Sequence, residues 1–208
     1  MAVDFQELIA SPDIAYGEGL EFFRGKGMLN QAIKKIASDF ERENIDYVAV
    51  GAIALNRHGY RRFTEDIDLL LTPEGLDRFR STLIGLGYRP AFEGARKKYR
   101  TSENIPVEII VAGEYPGDGL PKPVVFPKPG DVAVVIDGVK TISLEKLIEL
   151  KLASGISAPH RLKDLADVQE LIKIKQLDVN YADKLDPYVR AKFIELAEAV
   201  AAAGDEQS

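Results

Sequence analysis

Two acids stand one residue apart at the head of an apolar run: Asp66 and Asp68 in RRFTEDIDLLLT, residues 61–72. In an extended strand, residues i and i+2 project to the same face, so the two carboxylates point together while Ile67 turns into the core. Two close carboxylates repel, and one stays protonated unless something positive lies between them. A divalent cation is the economical partner, and oxygen donors without Cys favour Mg²⁺ or Mn²⁺. Three further features bear on this pair. Gly51 ends one apolar strand and opens a short helix, where free N–H groups could meet a phosphate. Arg62 and Thr64 precede the acids, the first suited to bidentate phosphate contact and the second to holding the turn. Glu108 sits inside PVEIIVA, where an unpartnered buried acid is costly, and a neighbouring strand could bring it to the pair as a third metal ligand. Each feature also has a plain structural reading. The acids could lie at a surface strand end, Gly51 in a tight turn, Arg62 in solvent, Thr64 at a cap and Glu108 on an exposed edge.

Elements to position these residues are legible in the hydrophobic pattern. Leu29–Arg42 reads as a helix with Leu29, Ile33, Ile36, Ala37 and Phe40 on one face. Residues 46–50 read as a buried strand and 52–58 as a helix stopped by Gly59. Ile67–Leu71 is the next strand, and Thr72-Pro73 caps and starts a helix closed by Gly87. Lys97–Thr101 and Val107–Val111 read as strands. Residues 113–130, with five prolines and four glycines, read as a long loop. A hairpin turns at Asp137-Gly138. Ser143 caps a helix ended by Gly155, Arg161–Lys175 forms another, and Asp186-Pro187 starts the last. Strands first and helices last describe an α+β fold: a mixed sheet flanked by helices and followed by a C-terminal helical cap. The expected division is an N-terminal arm over 1–27, loosely attached, a core over 28–142 and the cap over 143–203. The final residues, AAAGDEQS, are expected to fray.

Composition narrows the function classes. With 208 residues, 46% hydrophobic and 29% charged, the chain suits an ordinary globular fold. No apolar run reaches the roughly 18 residues of a membrane span. The acidic N-terminal stretch lacks a secretory pattern. Cys is absent, which excludes disulfides, thiolate nucleophiles and Cys-based zinc sites and suits a reducing cytoplasm. A net charge of −6 argues against nucleic-acid binding by bulk charge, so phosphate must meet a local cluster or a metal. Two basic clusters qualify: Arg57, His58, Arg61 and Arg62, then Arg96, Lys97, Lys98 and Arg100. Neither His58 nor His160 has a partner at metal-ligand spacing.

The stretch VAVGAIALNRHGYRRFTEDIDLLL, residues 48–71, resembles the nucleotidyltransferase superfamily of DNA polymerase beta type. Within it the likeness is to small bacterial members, including the nucleotidyltransferase toxins of abortive-infection systems. That signature runs Gly-Gly or Gly-Ser, then Arg-x-Thr-x-Asp-x-Asp, then a later acid. The matching positions here are Gly51-Ala52, then Arg62, Thr64, Asp66 and Asp68, then Glu108. LKLASG and RLKDLADVQELI extend the likeness to Lys151, Lys163 and Asp164, with Asp167 beside them. Ala52 departs from the usual Gly or Ser, and Glu108 from the usual Asp.

The resemblance implies metal-assisted transfer of a nucleoside monophosphate from a triphosphate such as ATP to an acceptor hydroxyl. Asp66, Asp68 and Glu108 would hold two Mg²⁺ or Mn²⁺ ions. Gly51, Ala52 and Arg62 would meet the phosphates, Thr64 would hold the turn, and Lys151 or Lys163 would add charge oriented by Asp164. The acceptor would be an RNA or tRNA end or a partner protein, with the Arg96–Arg100 run suggesting RNA, and a toxin–antitoxin role is in view. A non-catalytic binding or regulatory module on the same fold is the competing expectation.

Overall fold

A computed structural model describes residues 4–205. Its seven strands are β1 (Tyr47–Ala49), β2 (Ile67–Leu71), β3 (Tyr88–Pro90), β4 (Lys98–Thr101), β5 (Pro106–Val111), β6 (Ala133–Ile136) and β7 (Val139–Ile142). They form one mixed sheet in the order β3-β4-β5-β2-β1-β7-β6. The helices are α1 (Phe5–Ile9), α2 (Pro12–Phe23), α3 (Gly27–Arg42), α4 (Gly51–Arg57), α5 (Pro73–Thr82), α6 (Pro129–Val132), α7 (Leu144–Ser157), α8 (Leu162–Lys175) and α9 (Pro187–Asp205). The fold is α+β, as the pattern of strands and helices anticipates.

The period-2 alternation sorts the central strands onto two cores. Ile67, Leu69 and Leu71 of β2 join Tyr47, Ala49, Val107 and Ile109 in a core with α1, α2, α3 and α5. Leu70 lies on the opposite face with Val48 and Ile142, packed under Leu147, Ile148, Leu152, Val168, Leu171 and Phe193 of α7, α8 and α9. Asp68 is two residues before Leu70, so it belongs to the face covered by the C-terminal helices.

Local chemistry explains many boundaries. Thr72 accepts a hydrogen bond from Gly75 N at 3.0 Å and Pro73 is the first residue of α5. Asp137 and Gly138 both have positive φ, 49° and 76°, the geometry of a tight turn joining β6 and β7. Ser143 caps α7 through Lys146 N.

Three expectations are corrected, and one strand was not anticipated. Gly155 does not end α7, which continues to Ser157. A Cβ at Gly155 would lie 2.5 Å from Leu165 Cδ2, so the glycine is there to let α8 pack closely. The helix after Pro73 ends at Thr82, well before Gly87. β3 is an edge strand that the short YRP stretch does not announce. The segment before Gly25 is not loosely attached. It folds into α1 and α2, buries Phe5 and Phe22, and is tied to the turn between β4 and β5 by Phe5 N donating to Glu103 O at 2.8 Å. At the other end residues 201–205 continue α9, and the rest of the stretch expected to fray lies outside the described residues.

Candidate active site

β2 and β5 are parallel neighbours, and their register sets Asp68 directly beside Glu108. Adjacent strands lie about 4.8 Å apart, and both side chains emerge on the face of the C-terminal helices. Asp66, two residues before Asp68, joins them at the strand's entry. Gly51 lies against Asp68 so closely that a Cβ there would sit 2.0 Å from Asp68 Oδ2, and its φ is +58°. Both facts demand glycine. The same position that opens α4 therefore makes room for the carboxylate.

All of the expected site residues line one cavity of about 340 Å³: Gly51, Ala52, Arg62, Thr64, Asp66, Asp68, Glu108, Lys151, Lys163 and Asp164. His160 and Arg161 complete its wall. Thr64 donates a hydrogen bond to Asp66 Oδ1. Arg62 is held by Asn56 of α4, which accepts from Arg62 N at 3.1 Å and donates to Arg62 O.

The cations are less free than the sequence suggests. Lys151, buried on α7, donates to Asp164 Oδ1 at 3.0 Å and Asp167 Oδ2 at 2.8 Å. Arg62 donates to the same Asp167 Oδ2 at 2.7 Å. Ser154 Oγ and Arg161 Nε both donate to Asp164 Oδ2, at 2.7 and 2.8 Å. Asp167 thus joins the loop before β2 to the C-terminal helices. Burial alone would raise the Asp164 carboxyl, but Lys151, Ser154 and Arg161 outweigh it and hold it below the usual range. Lys163 and His160 are exposed and have no ion-pair partner among the described residues.

Asp68 carries the opposite shift. Burial first, then the nearby charges of Asp66 and Glu108, push its carboxyl up to about 7, against the pull of Lys151 and Arg161. A half-buried carboxylate repelled by two others is a donor set that fits a divalent cation, which would relieve all three charges. The third member is not drawn in as far as expected. Glu108 Oε2 lies 3.7 Å from Lys98 Nζ and the side chain is 46% exposed. Among the described residues, no three acidic or histidine side chains are gathered closely enough to form a metal site as they stand. Glu108 reaches a shared cation only by turning from Lys98.

A second cavity of about 230 Å³ adjoins the first and shares Gly51, Asp68, Lys151, Arg161 and Asp164 with it. Tyr115, Pro116 and Phe126 of the proline-rich loop form its outer wall. The loop is fixed, with Gly113 N donating to Phe126 O at 2.8 Å and Lys122 Nζ to Pro116 O at 2.7 Å. Ser154, Arg161, Asn56 and the loop aromatics escaped the sequence reading. Only Arg161, at the head of RLKD, carried a visible signal there. The Arg96–Arg100 run disperses, with Lys97 pairing with Glu114 and Arg100 donating to Asn104 O, and His58 of the first cluster turns inward, its Nε2 2.8 Å from Ile142 O.

No protein-family profile matches the sequence, and no curated protein matches it significantly. Solved structures do. ANT(2″)-Ia in complex with adenylyl-2″-tobramycin is similar with a TM-score of 0.53 at 19% identity, over 78% of this chain and 95% of that one. The solution structure of the same antibiotic-resistance factor gives 0.50 at 17%, over 84% and 94%. An antigenic nucleotidyltransferase-like protein from Paracoccidioides brasiliensis gives 0.50 at 16%, over 83% and 90%. With its mixed sheet, its covering helices and these neighbours, the chain has the nucleotidyltransferase fold.

Proposed function

We propose that the protein transfers a nucleotidyl group from a nucleoside triphosphate to an acceptor hydroxyl. The observation that carries this reading is the meeting, in one cavity, of three carboxylates from β2, β5 and the segment before β2 with cations from α7 and α8. The acceptor oxygen attacks the α-phosphorus, the bond from that phosphorus to the bridging oxygen breaks, and pyrophosphate leaves with the electron pair. Glu108, whose side chain is 46% exposed, takes the hydroxyl proton. Lys163, Arg161 and the amide end of α4 at Gly51 face the departing phosphates. Lys151 and Asp164 hold the helical side of the cleft in place, and Arg62 is shared between Asp167 and the cavity. A divalent ion held by Asp66 and Asp68, with Glu108 turned in, would supply charge neutralisation at the triphosphate. The neighbouring cavity, walled by Tyr115 and Phe126, suits the nucleoside.

The test is incubation with each labelled triphosphate, Mg²⁺ or Mn²⁺, and candidate acceptors: total RNA, tRNA, the protein itself and aminoglycoside alcohols. The last are included because one structural neighbour was solved with an adenylylated aminoglycoside. Transfer with pyrophosphate release, lost in Asp68→Asn, supports the reading. Nucleoside diphosphate as product would make the protein a phosphotransferase instead. If tRNA is the acceptor, expression in cells arrests growth and Asp68→Asn relieves the arrest, the behaviour of a toxin.

A second reading has its own observation. Lys151 and Arg62 are held by Asp164 and Asp167, and Ala52 brings no hydroxyl. A non-catalytic module on this fold would neither transfer label nor bind triphosphate with metal.

A further inference from the structure

On the other side of α4 lies a larger cavity of about 680 Å³ that shares no lining residue with the carboxylate cavity. Its wall is basic with one half-buried ring: Phe23, backed by the buried Phe22, and Arg24 at the end of α2, Lys34 of α3, and Arg57 and Arg61 around the end of α4. Asp137 is its one acidic lining residue. In a chain of net charge −6 this is a local reversal of sign.

The decisive side chain is Arg57. It is 8% exposed, and one of its terminal nitrogens donates to Ile136 O at 2.6 Å. The Asp137 carboxylate, 83% exposed, stands 3.7 Å away as a weak counter-ion. Arg57 Nε is buried without any partner. A buried guanidinium with an unmet donor is costly unless an acceptor arrives. Lys34 and Arg61 are exposed and have no carboxylate partner among the described residues, while Arg24 pairs with Glu21 at 2.8 Å. So the cavity offers several cations and few anions of its own.

Its size and its ring narrow the ligand. A cavity of this volume exceeds a lone phosphate and falls in the range of small-ligand sites. Cations beside aromatic rings are the chemistry that holds single nucleotides, the phosphate on the charges and the base against a ring. We propose that this cavity is a second phosphate site, one that takes a nucleotide unit by its phosphate and its base, apart from the carboxylate cleft. The unit is a free nucleotide or one residue of a single strand. Asn56 lines this cavity and also holds Arg62 of the other, and Arg61 and Arg62 are consecutive, so one short loop separates the two sites. The inference does not depend on nucleotidyl transfer.

The experiment is binding in EDTA, which suppresses metal-dependent occupancy of the carboxylate cleft. Fluorescence anisotropy follows a 5′-fluorescein-labelled ten-nucleotide oligo(A) RNA and, separately, methylanthraniloyl-AMP. Saturable binding is expected, roughly tenfold weaker in Lys34→Gln/Arg61→Gln, with a log–log salt slope for the RNA shallower by about 1.4. Asp68→Asn should bind as the unaltered protein does. Binding of both probes identifies a free nucleotide as sufficient, and binding of the RNA alone identifies a strand. Both substituted side chains are exposed. Should the double variant melt lower, Lys34→Gln alone repeats the measurement with an expected slope change of about 0.7. The proposal is overturned if neither probe binds saturably at low salt. It also goes if the neutralised variants bind undiminished, or if Asp68→Asn weakens binding as much as they do.

Discussion

At the scale of single residues, Gly51 and Asp68 are one feature. Gly51 has φ +58°, and a Cβ there would stand 2.0 Å from Asp68 Oδ2. Gly51→Ala should therefore cost roughly 1–3 kcal/mol through backbone strain and displace the carboxylate as well. Thermal melting reads the first effect and loss of nucleotidyl transfer the second; a variant with full activity and unchanged stability would contradict both. Asp68 itself makes a pH prediction for the metal-free protein. Its carboxyl stands at about 7 in the fold, against 3.8 ordinarily, because of burial and then Asp66 and Glu108. The folded state thus holds a proton that the unfolded state has lost. Stability falls as pH rises from about 4 through about 7, and levels off above. Asp68→Asn removes that decline, so in EDTA the variant melts higher than the unaltered protein at pH 8 and alike at pH 4. Mn²⁺ at about 100 times its Kd should narrow that gap at pH 8, raising the unaltered protein alone by roughly 5–10 °C. A variant that gains equally from Mn²⁺ would place the ion elsewhere.

At the scale of elements, α8 does more than add positive charge. Asp167 accepts from Lys151 of α7 at 2.8 Å and from Arg62 before β2 at 2.7 Å, itself nearly buried. Removing it leaves two cations facing each other with only Asp164 to compensate Lys151. Asp167→Ala should destabilise by about 3 kcal/mol and loosen the loop carrying Arg62, so chemical denaturation and activity fall together. A change under 1 kcal/mol would mean the network is not shared as described. The sequence showed Lys151, Lys163 and Asp164 as charges on helices but could not show which acid claims which cation, because that depends on how α7 crosses α8. That crossing turns on Gly155, which the sequence reads as a stop signal. A glycine ends helices and also admits a neighbouring helix, and the chain's pattern does not separate the two uses. β2 was legible to the residue, since an apolar run bounded by Asp66 and the Thr72-Pro73 cap has one reading. The cavity shared by Asp68 and Glu108 was legible as well, because period-2 alternation fixes their face and only the parallel register of β5 had to be found.

At the scale of the molecule, the cleft exists because the sheet is covered on both faces and the second cover stops short of the carboxylates. The N-terminal helices were the part least legible in advance. Gly17 and Gly19 interrupt the pattern of α2, and the anchoring residues Phe5 and Phe22 are far apart in the chain. The C-terminal helices were read as a cap, yet their apolar sides are the other half of a core. Val48, Val50, Leu70 and Ile142 of the central region pack against Leu147, Ile148, Val168, Leu171 and Phe193, all buried. Burying such a side chain contributes about 1.5–3 kcal/mol each, and a domain's net stability is only about 5–15 kcal/mol. A chain ending at Ile142 should therefore lose more than it can spare. Its sheet would present a bare apolar face, with Asp68 and Glu108 at its rim, and self-associate rather than remain a folded monomer. Size-exclusion chromatography and circular dichroism of residues 1–142 check this. A monomeric fragment with a cooperative melt would show that α3, α5 and the N-terminal helices suffice to hold the sheet. In that case α7–α9 would serve the cleft alone, supplying Lys151, Lys163 and Asp164 without being needed for the fold.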